Sequence, residues 1–128
     1  MVIGVGVDVV DLDRFGRSLE RTPQLDQRLF GESDRQGIPE GPARTQSLAA
    51  RFAAKEATLK ALGGNIPGFH WHDIQVVKND NGVPTLQVTG GAAQRALEKG
   101  VNSWHVSLSH DGPVAVAFVI AQSVGEAS

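Results

Sequence analysis

The first apolar segment of the chain alternates in a way that is typical of a β-strand. Between Val2 and Val10, the apolar side chains at odd positions would lie on one face, while Gly4, Gly6 and Asp8 share the other. The face that carries Asp8 therefore has almost no other side chains. A buried carboxylate without a partner is unfavourable, so it is normally paired, protonated or bound to a cation. The pattern predicts a strand with space for another group beside Asp8.

Two short helices are predicted after this strand. Asp11 is a suitable N-cap for a helix that ends near Thr22. A second helix is predicted to start with Pro23 and to continue to about Phe30. Residues 31–41 have little hydrophobic content and are predicted to form a mobile loop.

The strongest helical pattern covers residues 42–62. This segment is rich in good helix formers, and its apolar residues recur at helical spacing: Leu48, Phe52, Leu59 and Leu62. It is followed by Gly63–Gly64, which suits a left-handed C-terminal cap. A single long helix is therefore predicted.

The second half of the chain is predicted to contain mainly strands. The predicted elements are strands at 74–77, 84–88, 103–109 and 114–120, a hairpin turn at 81–82 and a helix at 92–99. The resulting order β, α, α, α, β, β, α, β, β is typical of an α+β domain in which helices cover an antiparallel sheet. At 128 residues, we expect one domain that spans residues 1–128.

Composition narrows the function classes. The chain has no cysteine, which excludes disulfides, thiolate catalysis and cysteine-rich zinc sites. No apolar run approaches the roughly 18 residues of a membrane span, and no secretory signal is visible, so we expect a cytoplasmic protein that binds no membrane. A net charge of −2 argues against extensive nucleic-acid binding, although seven of the eight arginines lie at or before Arg51.

Four charged residues form a candidate site for phosphate chemistry. Asp8 and Glu56 are carboxylates and Lys55 and Lys60 are cations, which is what a Mg²⁺-bridged polyphosphate requires. For Glu56 and Lys60 alone, an exposed i, i+4 salt bridge is the simpler interpretation. That interpretation does not explain Lys55, which falls within the apolar stripe of the long helix. Spacing alone does not show whether Asp8 and Glu56 meet in space.

Two distant motifs resemble a known family. The segments Gly4–Asp11 (GVGVDVVD), Arg14–Phe15 and Arg51–Gly63 (RFAAKEATLKALG) closely resemble those of the holo-acyl-carrier-protein synthase family of 4′-phosphopantetheinyl transferases. Asn81–Pro84 and Val106–Asp111 match the same family in order over essentially the whole chain. The resemblance implies transfer of 4′-phosphopantetheine from coenzyme A to a serine hydroxyl of apo acyl carrier protein, with release of adenosine 3′,5′-bisphosphate, in fatty acid biosynthesis.

The resemblance also implies roles for individual residues. The positions matching Asp8 and Glu56 hold Mg²⁺ on the diphosphate of coenzyme A, and the position matching Lys60 neutralises phosphate charge as the leaving group departs. Lys55 either reaches phosphate as well or pairs internally with a carboxylate. Glu56, or a Mg²⁺-bound water that it orients, is the candidate base for the acceptor serine, so the implied catalytic set is Asp8, Glu56 and Lys60.

Ser109, His110 and Asp111 do not form a catalytic triad. Consecutive residues of a strand point to opposite faces, so they cannot hydrogen-bond in sequence. Without the resemblance, they would be a strand end with a hydrogen-bonded histidine. The resemblance implies instead that Ser109 and His110 belong to the part of the pocket that binds the phosphates and nucleotide of coenzyme A.

The segment His70–Trp71–His72 could place two imidazoles on one face, as in some metal sites. No third ligand is evident in the sequence. We therefore interpret this segment as a loop or strand start that binds no metal.

Arg14, Arg17 and Arg21 lie on one stripe of the first predicted helix. Such a stripe is ordinarily a solvated face. Because acyl carrier proteins are acidic helical domains, the resemblance makes these arginines a candidate docking surface for a discrete acyl carrier protein or a carrier domain of a larger synthase. Family members of this length form homotrimers with active sites between subunits, which implies that a neighbouring subunit completes the site.

Two other classes of protein are alternatives to the transferase. A non-catalytic module that binds acyl carrier protein or a nucleotide would use Asp8 and Glu56 as structural ion-pair members, and Mg²⁺ dependence would separate it from the enzyme. A P-loop or dinucleotide-binding enzyme is not supported, because Gly4 and Gly6 are not followed by the glycine and lysine pattern of those motifs.

Overall fold

The computed structural model describes residues 1–125 of the chain. The elements within them are β1 (Val2–Asp11), α1 (Leu12–Arg21), α2 (Gln24–Leu29), α3 (Glu32–Arg35), α4 (Pro42–Ala61), a 3₁₀ turn (Trp71–Asp73), β2 (Ile74–Lys78), β3 (Pro84–Val88), α5 (Gly90–Lys99), β4 (Ser103–Asp111) and β5 (Val114–Gln122). The fold is α+β, which confirms the predicted class. No helix in this part of the chain is long and apolar enough to cross a lipid bilayer.

The strands form two antiparallel sheets. The larger sheet has the order β1–β5–β4, with β5 in the centre, and the smaller sheet is the β2–β3 hairpin. In the larger sheet, Asp8 of β1 and Leu108 of β4 both pair with Ala117 of β5. The prediction of antiparallel pairing is confirmed, with the strands divided between two sheets.

The long helix α4 packs against one face of the larger sheet, and its backbone lies against β1. A methyl group at Gly4 would overlap the carbonyl oxygen of Ala61, and one at Gly6 would overlap that of Ala57. Glycine is required at both positions because any larger side chain would push the helix away. The space that the sequence predicts beside Asp8 is therefore occupied by α4, whose side chains are brought next to the carboxylate.

The opposite face of the larger sheet is apolar and open to solvent. Val5, Val7 and Val9 of β1 are each about half exposed, and so is Phe118 of β5. Val7 and Phe118 are paired across the two strands, so these side chains form one continuous patch. Patches of this kind usually mark an interaction surface.

The predicted loop over residues 31–41 is wrong in its first half. Residues 32–35 form the short helix α3, and the Asp34 side chain within it is fully buried. Its carboxylate accepts hydrogen bonds from the backbone N–H groups of Gly31 and Val76. These bonds fix a segment whose polar composition is otherwise typical of a solvent-exposed loop.

A chain of aromatic rings connects α1, α4 and the turn before β2. Phe15 of α1 stacks on Phe52 of α4 with ring centroids 5.5 Å apart, and Phe52 contacts Trp71 at 5.4 Å. The rings contribute both apolar burial and favourable ring–ring geometry. They hold α1 beside the middle of α4, close to the end of β1 that carries Asp8.

Candidate active site

Asp8 and Lys60 form an ion pair at the contact between β1 and α4. Lys60 Nζ donates to Asp8 Oδ1 at 3.1 Å and to the carbonyl oxygen of Val7 at 3.0 Å. The Asp8 side chain is 12% exposed and that of Lys60 is 56% exposed. The ammonium can therefore turn towards a ligand, whereas the carboxylate is held in place by the strand.

Glu56 lies one turn before Lys60 on α4 and faces the same strand. Burial raises the pKa of the Glu56 carboxyl group, the negative charge of Asp8 raises it further, and Lys60 acts in the opposite direction. Asp8 and Glu56 also line the same cavity, which answers the question that spacing left open. The carboxylates of Asp8, Asp11 and Glu56 outnumber the two cations beside them, Arg14 and Lys60.

The two carboxylates share a cavity of about 260 Å³ with residues of α1 and α4. Its lining includes the carboxylates of Asp8 and Glu56 and the aromatic side chains of Phe15 and Phe52. Arg14 also lines it. The two phenylalanines were not predicted as site residues, because their helical spacing is equally typical of core residues.

The donor set suits a cation that is shared with a ligand. No group of three or more histidine, cysteine, aspartate or glutamate side chains is positioned to hold a metal ion within residues 1–125. Mg²⁺ does not need such a group, since it usually keeps several waters and binds one or two carboxylates together with phosphate oxygens. Asp8 and Glu56 fit that pattern.

Lys55 does not face this cavity, and its assignment to phosphate binding is wrong. Its side chain is fully buried, and Nζ donates to Asp34 Oδ2 at 2.7 Å, to the carbonyl oxygen of Trp71 at 3.1 Å and to that of Ile74. Every ammonium proton therefore has an acceptor inside the protein. The structure selects internal pairing from the two alternatives that the sequence left open.

Ser109 and His110 point to opposite faces of β4, as the strand period predicts. Ser109 lies on the outer face, and the imidazole of His110 lies on the α4 side, where Gln46 Nε2 donates to Nδ1 at 2.9 Å. Strand β5 separates both residues from Asp8. Neither residue lines the cavity that Asp8 and Glu56 share.

The three arginines of the α1 stripe are exposed. Among residues 1–125, Arg14, Arg17 and Arg21 make no ion pair. Arg14 lies beside the carboxylates, whereas Arg17 lines a separate groove between α1 and the start of α4. The stripe therefore begins at the cavity and leads away from it along α1.

The two histidines of the segment 70–72 make hydrogen bonds within the protein, one through its side chain and one through its backbone. His72 Nε2 donates to the carbonyl oxygen of Gln27 at 2.7 Å, and the backbone N–H of His70 donates to Asp73. This arrangement agrees with an ordinary turn before β2.

Comparison with known proteins adds independent information about this site. Residues 4–119 match the family described as the 4′-phosphopantetheinyl transferase superfamily. The chain belongs to this superfamily. It is 57% identical to a holo-[acyl-carrier-protein] synthase of Streptomyces avermitilis, over 94% of this chain and 98% of the relative. A Frankia casuarinae protein of the same name is 52% identical, over 95% of this chain and 98% of the relative.

Solved structures of the same family have the same fold. The holo-[acyl-carrier-protein] synthase of Neisseria meningitidis superposes with a TM-score of 0.85 at 29% identity and covers 96% of this chain and 100% of that protein. A Bacillus anthracis synthase, solved in complex with coenzyme A (3′,5′-ADP), has a TM-score of 0.78 at 31% identity and covers 97% and 99%. The chain is therefore an enzyme, a 4′-phosphopantetheinyl transferase, as the two motifs implied.

Proposed function

We propose that the enzyme transfers 4′-phosphopantetheine from coenzyme A to a serine hydroxyl of apo acyl carrier protein and releases adenosine 3′,5′-bisphosphate. The observation that carries this proposal is that Asp8 and Glu56 line one cavity and that Lys60 pairs with Asp8 beside it. The Bacillus anthracis relative bound to coenzyme A supports the donor. The names of the curated relatives support the acceptor.

Asp8 and Glu56 hold Mg²⁺ together with the diphosphate of coenzyme A. Their mutual repulsion and the raised pKa of Glu56 favour such a cation, because binding it relieves the surplus negative charge. The bound Mg²⁺ supplies positive charge that offsets the charge of the diphosphate.

The transfer is an in-line displacement at the phosphorus that carries the pantetheine arm. The serine oxygen forms a bond to this phosphorus, the bond to the bridging oxygen breaks, and adenosine 3′,5′-bisphosphate leaves with the bond electrons. Glu56, or a water that it orients, is the base that receives the serine proton. The ammonium of Lys60 faces the charge that develops on the departing phosphate.

The acceptor docks on the arginine stripe of α1. Arg14 connects this stripe to the cavity, so an acidic carrier aligned along α1 brings its serine to Asp8 and Glu56. Arg17 and Arg21 extend the positive surface away from the cavity. The carrier is a discrete acyl carrier protein or a carrier domain of a larger synthase.

The enzyme is a homotrimer whose subunits pack through the apolar patch of Val5, Val7, Val9 and Phe118. The exposure of this patch supports the assembly, since burying it removes a large apolar area from water. In the trimer, Ser109 and His110 of one subunit lie near the phosphates and nucleotide of coenzyme A bound at the cavity of the next. The enzyme acts in the cytoplasm, in fatty acid biosynthesis.

Intact-mass analysis of an apo acyl carrier protein tests the proposed reaction. The carrier is incubated with the enzyme and coenzyme A, with Mg²⁺ or with EDTA. We expect a mass gain of one phosphopantetheine with Mg²⁺ and none with EDTA or with Glu56→Ala. A folded enzyme that modifies none of several carriers would instead support a module that only binds them.

A further inference from the structure

A buried ion pair lies directly behind the proposed active site. Lys55 of α4 and Asp34 of α3 are both fully buried, and their charged atoms are 2.7 Å apart. Lys55 also donates to the carbonyl oxygens of Trp71 and Ile74. The lysine therefore fastens α4 to two other segments of the chain.

Asp34 extends the same network. Its Oδ2 accepts from the N–H of Gly31 at 3.0 Å, and its Oδ1 accepts from the N–H of Val76 at 2.8 Å. Its own backbone N–H donates to Gln75 Oε1 at 3.1 Å. Arg51, one turn before Lys55, is also buried, and Asp34 opposes the lowering of the pKa of Arg51 by burial.

Such a network is a poor source of stability. The cost of removing two charges from water is offset only in part by their attraction, and apolar residues of similar size are often as stable or more so. A buried pair is therefore better explained by the geometry that it imposes. Each partner accepts or donates in fixed directions, which apolar contacts do not require.

The other side of α4 does not impose that geometry. There the helix contacts β1 through the backbone at Gly4 and Gly6, and β5 through small side chains such as Ala117. Lys60 adds hydrogen bonds to Asp8 and to the carbonyl oxygen of Val7 on this side, but more than half of its side chain is exposed. The attachment on this side is therefore partly solvated, whereas the Lys55–Asp34 pair is fully enclosed.

The buried pair is linked to the cavity by short paths. Lys55 is adjacent to Glu56 in sequence, and one of its acceptors belongs to Trp71, whose ring contacts Phe52. Phe52 and Glu56 both line the cavity. A small rotation of α4 would therefore displace both Phe52 and Glu56.

We propose that Lys55 and Asp34 are positioning residues that fix the rotation of α4, so that Glu56 faces Asp8 and Phe52 faces the cavity. The catalytic role of Glu56 and of the cavity that it shares with Phe52 rests on the proposed function. Neither residue touches the substrate. They act through the helix backbone and the Phe52–Trp71 contact.

The test uses Lys55→Met in the full chain, with Arg44→Ala as a matched control. Arg44 also lies on α4 and pairs with Asp26 at 2.7 Å, away from the cavity. Folding is followed by circular dichroism and thermal unfolding. The other measurements are kcat and KM for the carrier, and Mn²⁺ binding in the presence of coenzyme A, monitored by electron paramagnetic resonance.

For folded Lys55→Met we expect kcat to fall about 100-fold, since small misplacements of reacting groups have effects of this size. Mn²⁺ binding should weaken by roughly 10-fold or more, as when groups that orient metal ligands are removed. KM for the carrier should change little, because the arginine stripe is untouched. Arg44→Ala should retain wild-type kcat and Mn²⁺ affinity.

A Lys55→Met enzyme that loses thermal stability but keeps kcat and Mn²⁺ affinity would overturn the proposal. If this variant does not fold, Asp34→Asn, which keeps the volume of the side chain, is measured in the same way. If neither folds, the pair has a purely structural role and the proposal is wrong. If the wild type modifies no carrier, the proposed function fails separately and Mn²⁺ affinity alone decides. A wild type that binds no Mn²⁺ has no site to position, which would also overturn the proposal.

Discussion

Two aspartate–lysine pairs hold α4, and they differ in almost every respect except composition. The Asp34–Lys55 pair is fully buried, and every proton of the Lys55 ammonium group has an acceptor. The Asp8–Lys60 pair is partly open, and the carboxylates around it (Asp8, Asp11 and Glu56) outnumber the cations Lys60 and Arg14. A closed pair has no capacity left for a ligand, whereas an open pair with surplus charge attracts one.

The largest effect is expected on enzyme activity, when the charge of the open pair is removed. Asp8→Asn keeps the size of the side chain but removes a charge that the proposed reaction needs, so turnover should fall by at least about 10²–10³-fold. Its unfolding free energy should change by less than about 1 kcal/mol, because the pair is partly solvated. Rates come from mass analysis of the carrier and stability from urea titration. Glu98→Gln, at the exposed end of α5, serves as a control. If its turnover falls as much as that of Asp8→Asn, the loss of activity is not specific to the open pair.

The same substitution at the other pair should act on stability. Asp34→Asn leaves Lys55 and the nearby Arg51 buried without a compensating negative charge. Uncompensated buried charges of this kind cost about 3–5 kcal/mol of unfolding free energy. Urea titration measures the loss. If the unfolding free energy of Asp34→Asn falls no more than that of Asp8→Asn, burial does not make the two pairs differ in their contribution to stability.

The position of α4 against β1 offers a way to disturb the open pair without touching its charges. Gly6→Ala would place a methyl group on the carbonyl oxygen of Ala57, so α4 and β1 must separate. We expect a loss of about 1–3 kcal/mol, as for overpacking, together with reduced turnover. Gly16→Ala is the control, since Gly16 lies in α1 with its nearest neighbour at 3.4 Å, an ordinary contact. That variant should gain up to about 1 kcal/mol.

The raised pKa of Glu56 predicts a specific dependence on pH. Because the pKa is higher in the folded chain than its ordinary value of 4.5, ionisation of Glu56 favours the unfolded chain. Without Mg²⁺, the contribution of this group to stability is complete below the unfolded pKa and is lost as the pH rises through the folded pKa. Urea titrations across pH should show this loss in the wild type but not in Glu56→Gln. Added Mg²⁺ should reduce it.

The smallest effect is expected for the arginine stripe, which lies outside both pairs. Arg21→Ala should raise KM for the carrier a few-fold and weaken the dependence of KM on salt, since exposed charges contribute roughly 1 kcal/mol or less. Coenzyme A binding should not change. Steady-state rates at several salt concentrations measure this, with Arg28→Ala on α2 as the control. An unaltered salt dependence would remove the stripe from the docking surface.

The fold was largely predictable because local patterns determine its elements. Alternation identified the strands, and the unbroken run of helix formers identified α4. The need of Asp8 for a partner was predictable for the same reason, since a carboxylate lies there on a glycine-rich strand face, but its pairing with Lys60 was not predicted. The motifs around Asp8 and Glu56 then supplied the chemistry.

Internal pairing of Lys55 was one of two open alternatives, but its partner Asp34 could not be predicted, because it comes from a distant segment. Asp34 lies in a polar stretch that resembles a surface loop, and only the packing of α3 against β2 buries it. The separation of His110 from Asp8 depends on the order β1–β5–β4, which no local pattern contains. Lys55 in the apolar stripe was the signal that a buried anion was required.

The central place of β5 has a consequence for how the enzyme is made. Val2 pairs with Gln122, so the first strand of the chain acquires its neighbour only when the last strand has been synthesised. Pairing over such a distance closes a very long loop and is intrinsically slow. During translation, β1 therefore has no strand partner, and the carboxylate of Asp8 has no fixed position. The nascent chain therefore gains catalytic competence only after β5 has left the ribosome.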